Sequence, residues 1–369
     1  MKNKITAILK PIIFVIIFCL LFQRISLVLQ VYGKTPEDPD RRACLFFSLP
    51  ENTVDVLFAG TSHVYCSYIP QKIYNDTGIT SAVLATSSQS YQNTYWLLKE
   101  ALRHQQPKVV VLDIHSITSA VDEIVLNYRL HYTSGISSLP DLSINKLLAY
   151  QDITSQKEGW VKDMTVYDAY SFLEYKNEYD RGTSDLVSIA NLMINPVSEY
   201  KTFGYYPTDT VHPMTSLEPC ISSSKRTDLK QTEDFRQLQR IIELLQEKDI
   251  PLLLVRAPYH TSVLDDQQLY SQIFAWTDEQ DIPVIDFFDL IDEIGIKLKT
   301  DFRDDDHLNY LGSKKITKYM ETYLQQHYTL TNHKGDKKYS LWDRKKFDYK
   351  AVEKKIKESI KNSNTSQDV

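Results

Sequence analysis

Apolar and polar positions divide the chain into three regimes. From Ile5 to Val31 the sequence is mostly apolar, with Lys10 ahead of its longest run (Pro11–Phe22) and Gln23 and Arg24 interrupting it. That length is enough to cross a bilayer. Beyond residue 50 the pattern changes to short apolar runs separated by stretches of helical period. "VDVLFAG" (54–60), "ITSAVLA" (79–85), "KVVVLDIHS" (108–116), "IPLLLVRAP" (250–258) and "IPVIDFFDL" (282–290) each predict a strand buried on both faces. "YQNTYWLLKEALRHQ" places Tyr95, Leu98 and Leu102 on one helical face. "KQTEDFRQLQRIIELLQEKD" does the same with Phe235, Leu238, Ile241, Ile242 and Leu245. "QQLYSQIFAWTDEQD" and "YLGSKKITKYMETYLQQHY" predict two further helices. Buried strands alternating with helices imply an α/β fold: a doubly wound, flavodoxin-like parallel sheet of five strands with right-handed crossovers.

The alternation lapses from about 117 to 224, where the chain is polar, tyrosine-rich and irregular apart from pieces such as "SDLVSIANLMI". Ten of the 24 tyrosines lie between Tyr128 and Tyr206. This region is expected to be a large insertion after the third strand, where such additions shape ligand sites. The organisation expected is a cytoplasmic stub and transmembrane anchor (1–32), a polar linker (33–50), an α/β domain (51–332) and a basic tail (333–369). In the tail, "DYKAVEKKIKESIKN" predicts a solvated helix.

Composition narrows the function classes. The 369 residues carry a formal net charge of −6, which disfavours a general nucleic-acid binder. The cysteines, Cys19, Cys44, Cys66 and Cys220, include no C-x-x-C pair, so no structural zinc or thioredoxin-type site is suggested. A Cys44–Cys220 bridge has no support in the spacing. Lys2, Lys4 and Lys10 precede the apolar N-terminal run and favour a cytoplasmic N-terminus. No small-residue cleavage site follows, and Phe18 before Cys19 is a poor lipoprotein signal. An uncleaved signal anchor is therefore preferred to a removed signal peptide. Either leaves the remaining chain outside the cytoplasm.

Two short stretches carry candidate chemistry. In "VDVLFAGTSHVYC" the first strand ends at Gly60-Thr61-Ser62-His63. Val64 stands where an α/β-hydrolase elbow needs glycine, so that motif is absent. Gly60 permits a sharp turn, and a helix starting at Ser62 offers free N–H groups near its hydroxyl. Serine is equally a common helix cap. In "DFRDDDHLNYLGS", Asp304 lies three residues before His307 and can return to its Nδ1, leaving Nε2 as a base. The same acids could form a calcium loop or a helix-start cluster, although the other ligands of a twelve-residue calcium loop are missing.

Together, Gly60-Thr61-Ser62 and Asp304-Asp305-Asp306-His307 resemble the two end blocks of the SGNH/GDSL hydrolase superfamily. "HLN" (307–309) and Gly312 look like its membrane-anchored envelope members. The resemblance covers about 54–116 and 231–328. It implies Ser62 as nucleophile, His307 as base and Asp304 as its orienter. It also implies oxyanion N–H groups from Ser62 and from Ser88, which stands where the family carries glycine. The family's asparagine after strand three is absent. His115, Ser116 or the insertion would supply the donor instead; His63 is either a substrate contact or a residue that follows the cap, and His260 is a candidate for lining the cleft. Cys66 is expected to be packed helix surface and His212 a loop residue.

The function expected is a serine acyl esterase or O-acyltransferase acting on acyl, first of all acetyl, groups of a cell-envelope glycan, without cofactor or metal. A transferase would also need a membrane partner that hands over the acyl group. The alternative from another class is a non-catalytic glycan-binding or envelope-assembly protein retaining the fold. A calcium-dependent adhesion module is a third.

Overall fold

A computed structural model describes residues 2–31, 34–35, 38–115, 117, 135–155, 165–170, 186–217, 228–259, 267–344 and 347–365. Five strands, β1 (Val56–Gly60), β2 (Ser81–Ala85), β3 (Val109–Asp113), β4 (Leu252–Arg256) and β5 (Val284–Asp286), form one sheet in the order β2-β1-β3-β4-β5. All four pairings are parallel. This is a doubly wound order, and the direction of winding reverses beside β1 and β3. The strands are shorter than their apolar runs because the flanking residues turn away from the ladder.

Alternate side chains explain the unbroken apolar runs. Leu57, Ala59, Val110 and Leu112 face a core with the helices Tyr91–His104 and Glu233–Gln246. Val56, Phe58, Val109 and Val111 face the opposite core with the helix Tyr310–His327. Both faces are covered, so the middle positions of both alternate sets are apolar.

Three parts of the chain differ from the expectation. Within the segment read as a linker, Pro39–Phe46 is a helix capped by Asp38, with Arg41 through Phe46 buried. Its arginines disguise it as a linker in the sequence. The irregular middle region contributes core rather than only loops. Phe203 O accepts from Val83 N at 2.8 Å, and Tyr200 Oη donates to Val83 O at 2.9 Å. These bonds close the open edge of β2, which would otherwise present unpaired backbone groups. The tail is also built in. Trp342 is fully buried and stacks on Phe203 with ring centroids 4.8 Å apart. His333 Nε2 lies 2.7 Å from Asp55 Oδ2, and Ile356 of the helix Tyr349–Thr365 is buried. Cys44 is free, so the Cys44–Cys220 bridge is excluded; Cys220 lies outside the described residues.

The N-terminal helix runs from Lys2 to Val31. Its stretch Leu9–Val31 has a mean hydropathy of 2.7, long and apolar enough to cross a membrane. Side chains from Leu9 to Ile25 are largely exposed, whereas Ser26, Val28, Gln30 and Val31 are buried against the globular body.

Candidate active site

The C-terminal ends of β1 and β3 lie side by side, since Ala59 pairs with Leu112. Chain direction therefore delivers Gly60-Thr61-Ser62 and Asp113-Ile114-His115 to one edge of the sheet. Gly60 has φ +142°, and a Cβ there would meet Asp113 Cβ at 2.7 Å and Val64 Cγ2 at 2.9 Å. Only glycine allows the two strand ends to approach this closely. Thr61 caps the helix Ser62–Ser67, accepting from the His63 N–H, and its own hydroxyl donates to Asp113 Oδ2 at 2.6 Å. Asp113 Oδ1 also accepts from the His115 N–H at 3.1 Å. Asp113 thus ties the Ser62 turn to the loop after β3. Burial pushes its carboxyl up to about 6, against the pull of these hydrogen bonds.

His307 arrives from the other end of the chain. Phe302 and Leu308 form an antiparallel bridge, and the Arg303 N–H donates to His307 O at 2.9 Å. Buried Asn309 caps the helix Tyr310–His327. Its amide also donates to Thr300 O, Phe302 O and Thr210 O at 2.8–3.1 Å. These bonds give the "HLN" sequence a mechanical role: Leu308 and Asn309 clamp the loop that carries His307. Gly312 completes the clamp, because a Cβ there would stand 2.5 Å from Asp301 O.

Within this loop Asp304 Oδ1 lies 2.8 Å from His307 Nδ1, and His307 Nε2 lies 2.7 Å from Ser62 Oγ. The N–H groups of Asp306 and His307 also donate to Asp304 Oδ1, and Arg303 Nε donates to Asp304 Oδ2 at 2.8 Å. Burial raises the Asp304 carboxyl. The hydrogen bond and charge of His307, with those of Arg303, outweigh it and hold the group far below the usual carboxylate range. An ionised Asp304 assigns the proton on His307 to Nδ1 and leaves Nε2 to accept from Ser62.

His63 and His115 lie beneath this line as a stacked pair, with centroids 3.8 Å apart and both rings edge-on to Tyr259. His63 is 5.1 Å from the His307 ring. Burial, then the neighbouring imidazoles, push His63 well below its ordinary value. Burial and His307 push His115 down to about 3. Both are neutral at ordinary pH, and neither Nδ1 has a hydrogen-bond partner.

The other sequence candidates are distributed as follows. Ser88 is exposed in the loop after β2, with φ 45°, at the same sheet edge as Ser62. Tyr65, on the helix that begins at Ser62, reaches that loop through Ser87 Oγ at 3.1 Å. Ser116 and His260 lie outside the described residues. Cys66 is buried, its thiol pushed up to about 12 mainly by burial, which removes it as a rival nucleophile. His212 lies 2.9 Å from Asp305 Oδ1. The acids of the 301–306 loop point apart, to Lys315, His307 and His212. Among the described residues no cluster of three or more His, Cys, Asp or Glu could hold a metal ion.

Sequence reasoning missed Asp113, Arg303, Arg42 and the Tyr206 face. The Arg303 guanidinium lies 5.0 Å from the Tyr206 ring centre, and Arg42 covers the same ring at 5.1 Å and Tyr65 at 4.8 Å. Only Asp113 had a legible signal, as an acid ending an apolar strand; its contact with Thr61 required the strand order. A groove of about 880 Å³ lies elsewhere, between the 293–301 segment and the helix Tyr310–His327. Its lysines include Lys72, paired with Glu321, and Lys315, paired with Asp301. Ser62, Asp304 and His307 do not line it. No protein-family model matches this chain, and no curated protein matches it.

Proposed function

We propose that this chain is a membrane-anchored serine acyl-transfer enzyme of the SGNH type, working outside the cytoplasm on ester-linked acyl groups, first of all acetyl, of a cell-envelope glycan. The observation that carries the reading is the continuous line Asp304–His307–Ser62, with contacts of 2.8 and 2.7 Å. Those distances and that order fit nucleophilic catalysis. As Ser62 Oγ attacks the acyl carbonyl, its proton passes to His307 Nε2. Asp304 stabilises the resulting imidazolium. Collapse of the tetrahedral intermediate breaks the ester bond, and His307 returns the proton to the departing alcohol. The acyl group remains on Ser62 until water or a sugar hydroxyl attacks, giving up its proton to His307, which returns it to Ser62 Oγ as the acyl–serine bond breaks. Water makes the chain an esterase; a sugar hydroxyl makes it an O-acyltransferase. The Ser62 and Ser88 N–H groups are the proposed oxyanion donors.

The test is covalent labelling with a fluorophosphonate, followed by mass spectrometry of envelope glycans from cells with Ser62 or Ser62→Ala. Labelling at Ser62 is expected. Acyl gain in the variant identifies an esterase and acyl loss a transferase. Folded protein that takes no label and leaves the glycans unchanged overturns the reading in favour of a binding protein.

A further inference from the structure

The first turn of the helix Ile144–Thr154 is packed inside out: Asn145 and the fully buried Lys146 point inward, ahead of the buried apolar Ala149 and Ile153. Asn145 Nδ2 donates to Glu100 Oε2 at 2.7 Å. Lys146 Nζ donates to Ser137 O at 3.1 Å and Leu139 O at 2.9 Å, and pairs with Asp141. Its outward positions hold Ile144, Leu147 and Leu148, with Leu142 just before them, at 57, 42, 38 and 50% exposure. A helix on a water-facing surface has the opposite arrangement.

The placement of this patch indicates what covers it. Outside the N-terminal helix, every strongly exposed large apolar side chain among the described residues lies between Leu142 and Ile194. The same segment receives the end of that helix. Ser26 hydrogen-bonds Asp141, and Gln30 Nε2 donates to Ser137 O and Leu139 O, both at 2.8 Å. The helix Leu186–Ile194 packs against it as well. Lys146 and Gln30 thus share the same carbonyls and carboxylate, one from each side. The apolar surface of the anchor changes to buried contact at Ser26, and the body's exposed apolar patch begins beside that point.

We propose that residues Leu142–Leu148, with Tyr167 and Ile194, form an apolar collar that dips into the acyl region of the leaflet the body faces, next to the exit of the anchor helix. This rests on the reading of the N-terminal helix as a membrane span. Aliphatic side chains with a tyrosine among them, continuous with a span, fit lipid as the occupant. The collar and the Ser26–Gln30 contacts fix the body against the bilayer, so the site works at a set height above it.

The experiment uses the full chain in phosphatidylcholine–phosphatidylglycerol vesicles containing a phospholipid with a diazirine on its acyl chain. After irradiation and digestion, lipid adducts are expected on peptides covering Phe14–Phe22 and Leu142–Leu148, and none on Tyr349–Thr365. In a Leu147→Glu/Leu148→Glu variant the second adduct is lost and the first is kept. Adducts on the anchor alone overturn the collar and leave the span standing; a patch reserved for a protein partner gives that pattern. Adducts on neither segment overturn both. Wild-type labelling of Leu142–Leu148 in the double variant also overturns the collar.

Discussion

His307 Nε2 stands 2.7 Å from Ser62 Oγ across 245 residues of chain. The contact is held from both ends: Asp113 fixes the serine's turn through Thr61, and Asn309 fixes the histidine's loop through three carbonyls.

Replacing Ser62 with alanine should remove fluorophosphonate labelling and lower acyl-transfer turnover on the order of 10⁶-fold. Thr61, not Ser62, caps the helix, so thermal stability should stay within about 0.5 kcal/mol of the parent. Labelling and a melting curve on the same preparation check both parts.

Asp304→Asn should keep the geometry but no longer hold the Nδ1–H tautomer of His307, reducing turnover about 10⁴-fold. Asp304's depressed pKa also stabilises the fold. That contribution is complete above the unfolded carboxylate's pKa of about 3.9 and is lost as pH falls below it. Acid unfolding should therefore separate parent from variant least at the lowest pH.

The stacked pair His63–His115 predicts a second pH effect of known sign. Both imidazoles resist protonation when folded, so the unfolded chain binds more protons below 6.5, and stability falls as pH drops from there towards about 3. Asp113 acts in the opposite direction. Its raised pKa gives stability that is full below 3.8 and is lost as pH rises through about 6. Denaturant titrations at pH 7.5, 6 and 5 should show a steeper acid decline in Asp113→Asn than in the parent. His115→Asn should show a shallower one.

Gly60→Ala places a methyl group 2.7 Å from Asp113 Cβ at a φ of +142°. The expected cost is about 2 kcal/mol or more, with loss of labelling as the Ser62 turn is displaced. Wild-type labelling in a stable Gly60→Ala protein would show that the turn is more tolerant than its packing implies.

Trp342→Ala should cost about 3–5 kcal/mol, because the ring fills a closed site against Phe203 beside the edge of β2. A truncation before residue 339 should behave likewise. A soluble, fully stable truncated chain would contradict the packing of the tail.

The apolar runs at 54–60, 79–85, 108–116, 250–258 and 282–290 determined the strands and the parallel sheet. A strand covered on both faces keeps its middle apolar and admits polar groups such as Ser81, Asp113 and Arg256 only at its ends, so its signal is local. Asp304 and His307 were legible for a similar reason: three residues bring a carboxylate back to an imidazole whatever the rest of the chain does. The sequence also marked the N-terminal helix as long and apolar enough to cross a membrane, since bilayer thickness sets that length. What it left open was partnership at a distance. The Asp113–Thr61 bond exists because β3 lies beside β1, and strand order is a property of the packed sheet. The arginines of Pro39–Phe46 read as solvent-facing until their neighbours are in place, and the exposed lysines of the tail mask the buried Trp342 and Ile356 among them. Only the tertiary structure supplies the Tyr65 and Tyr206 rings against Arg42 and the Phe203 face for Trp342. Ser62 follows the same rule: as part of "GTSH" it could be a turn serine or a nucleophile, and what supports the second, proposed reading is the folded chain's placement of His307 Nε2 at its hydroxyl.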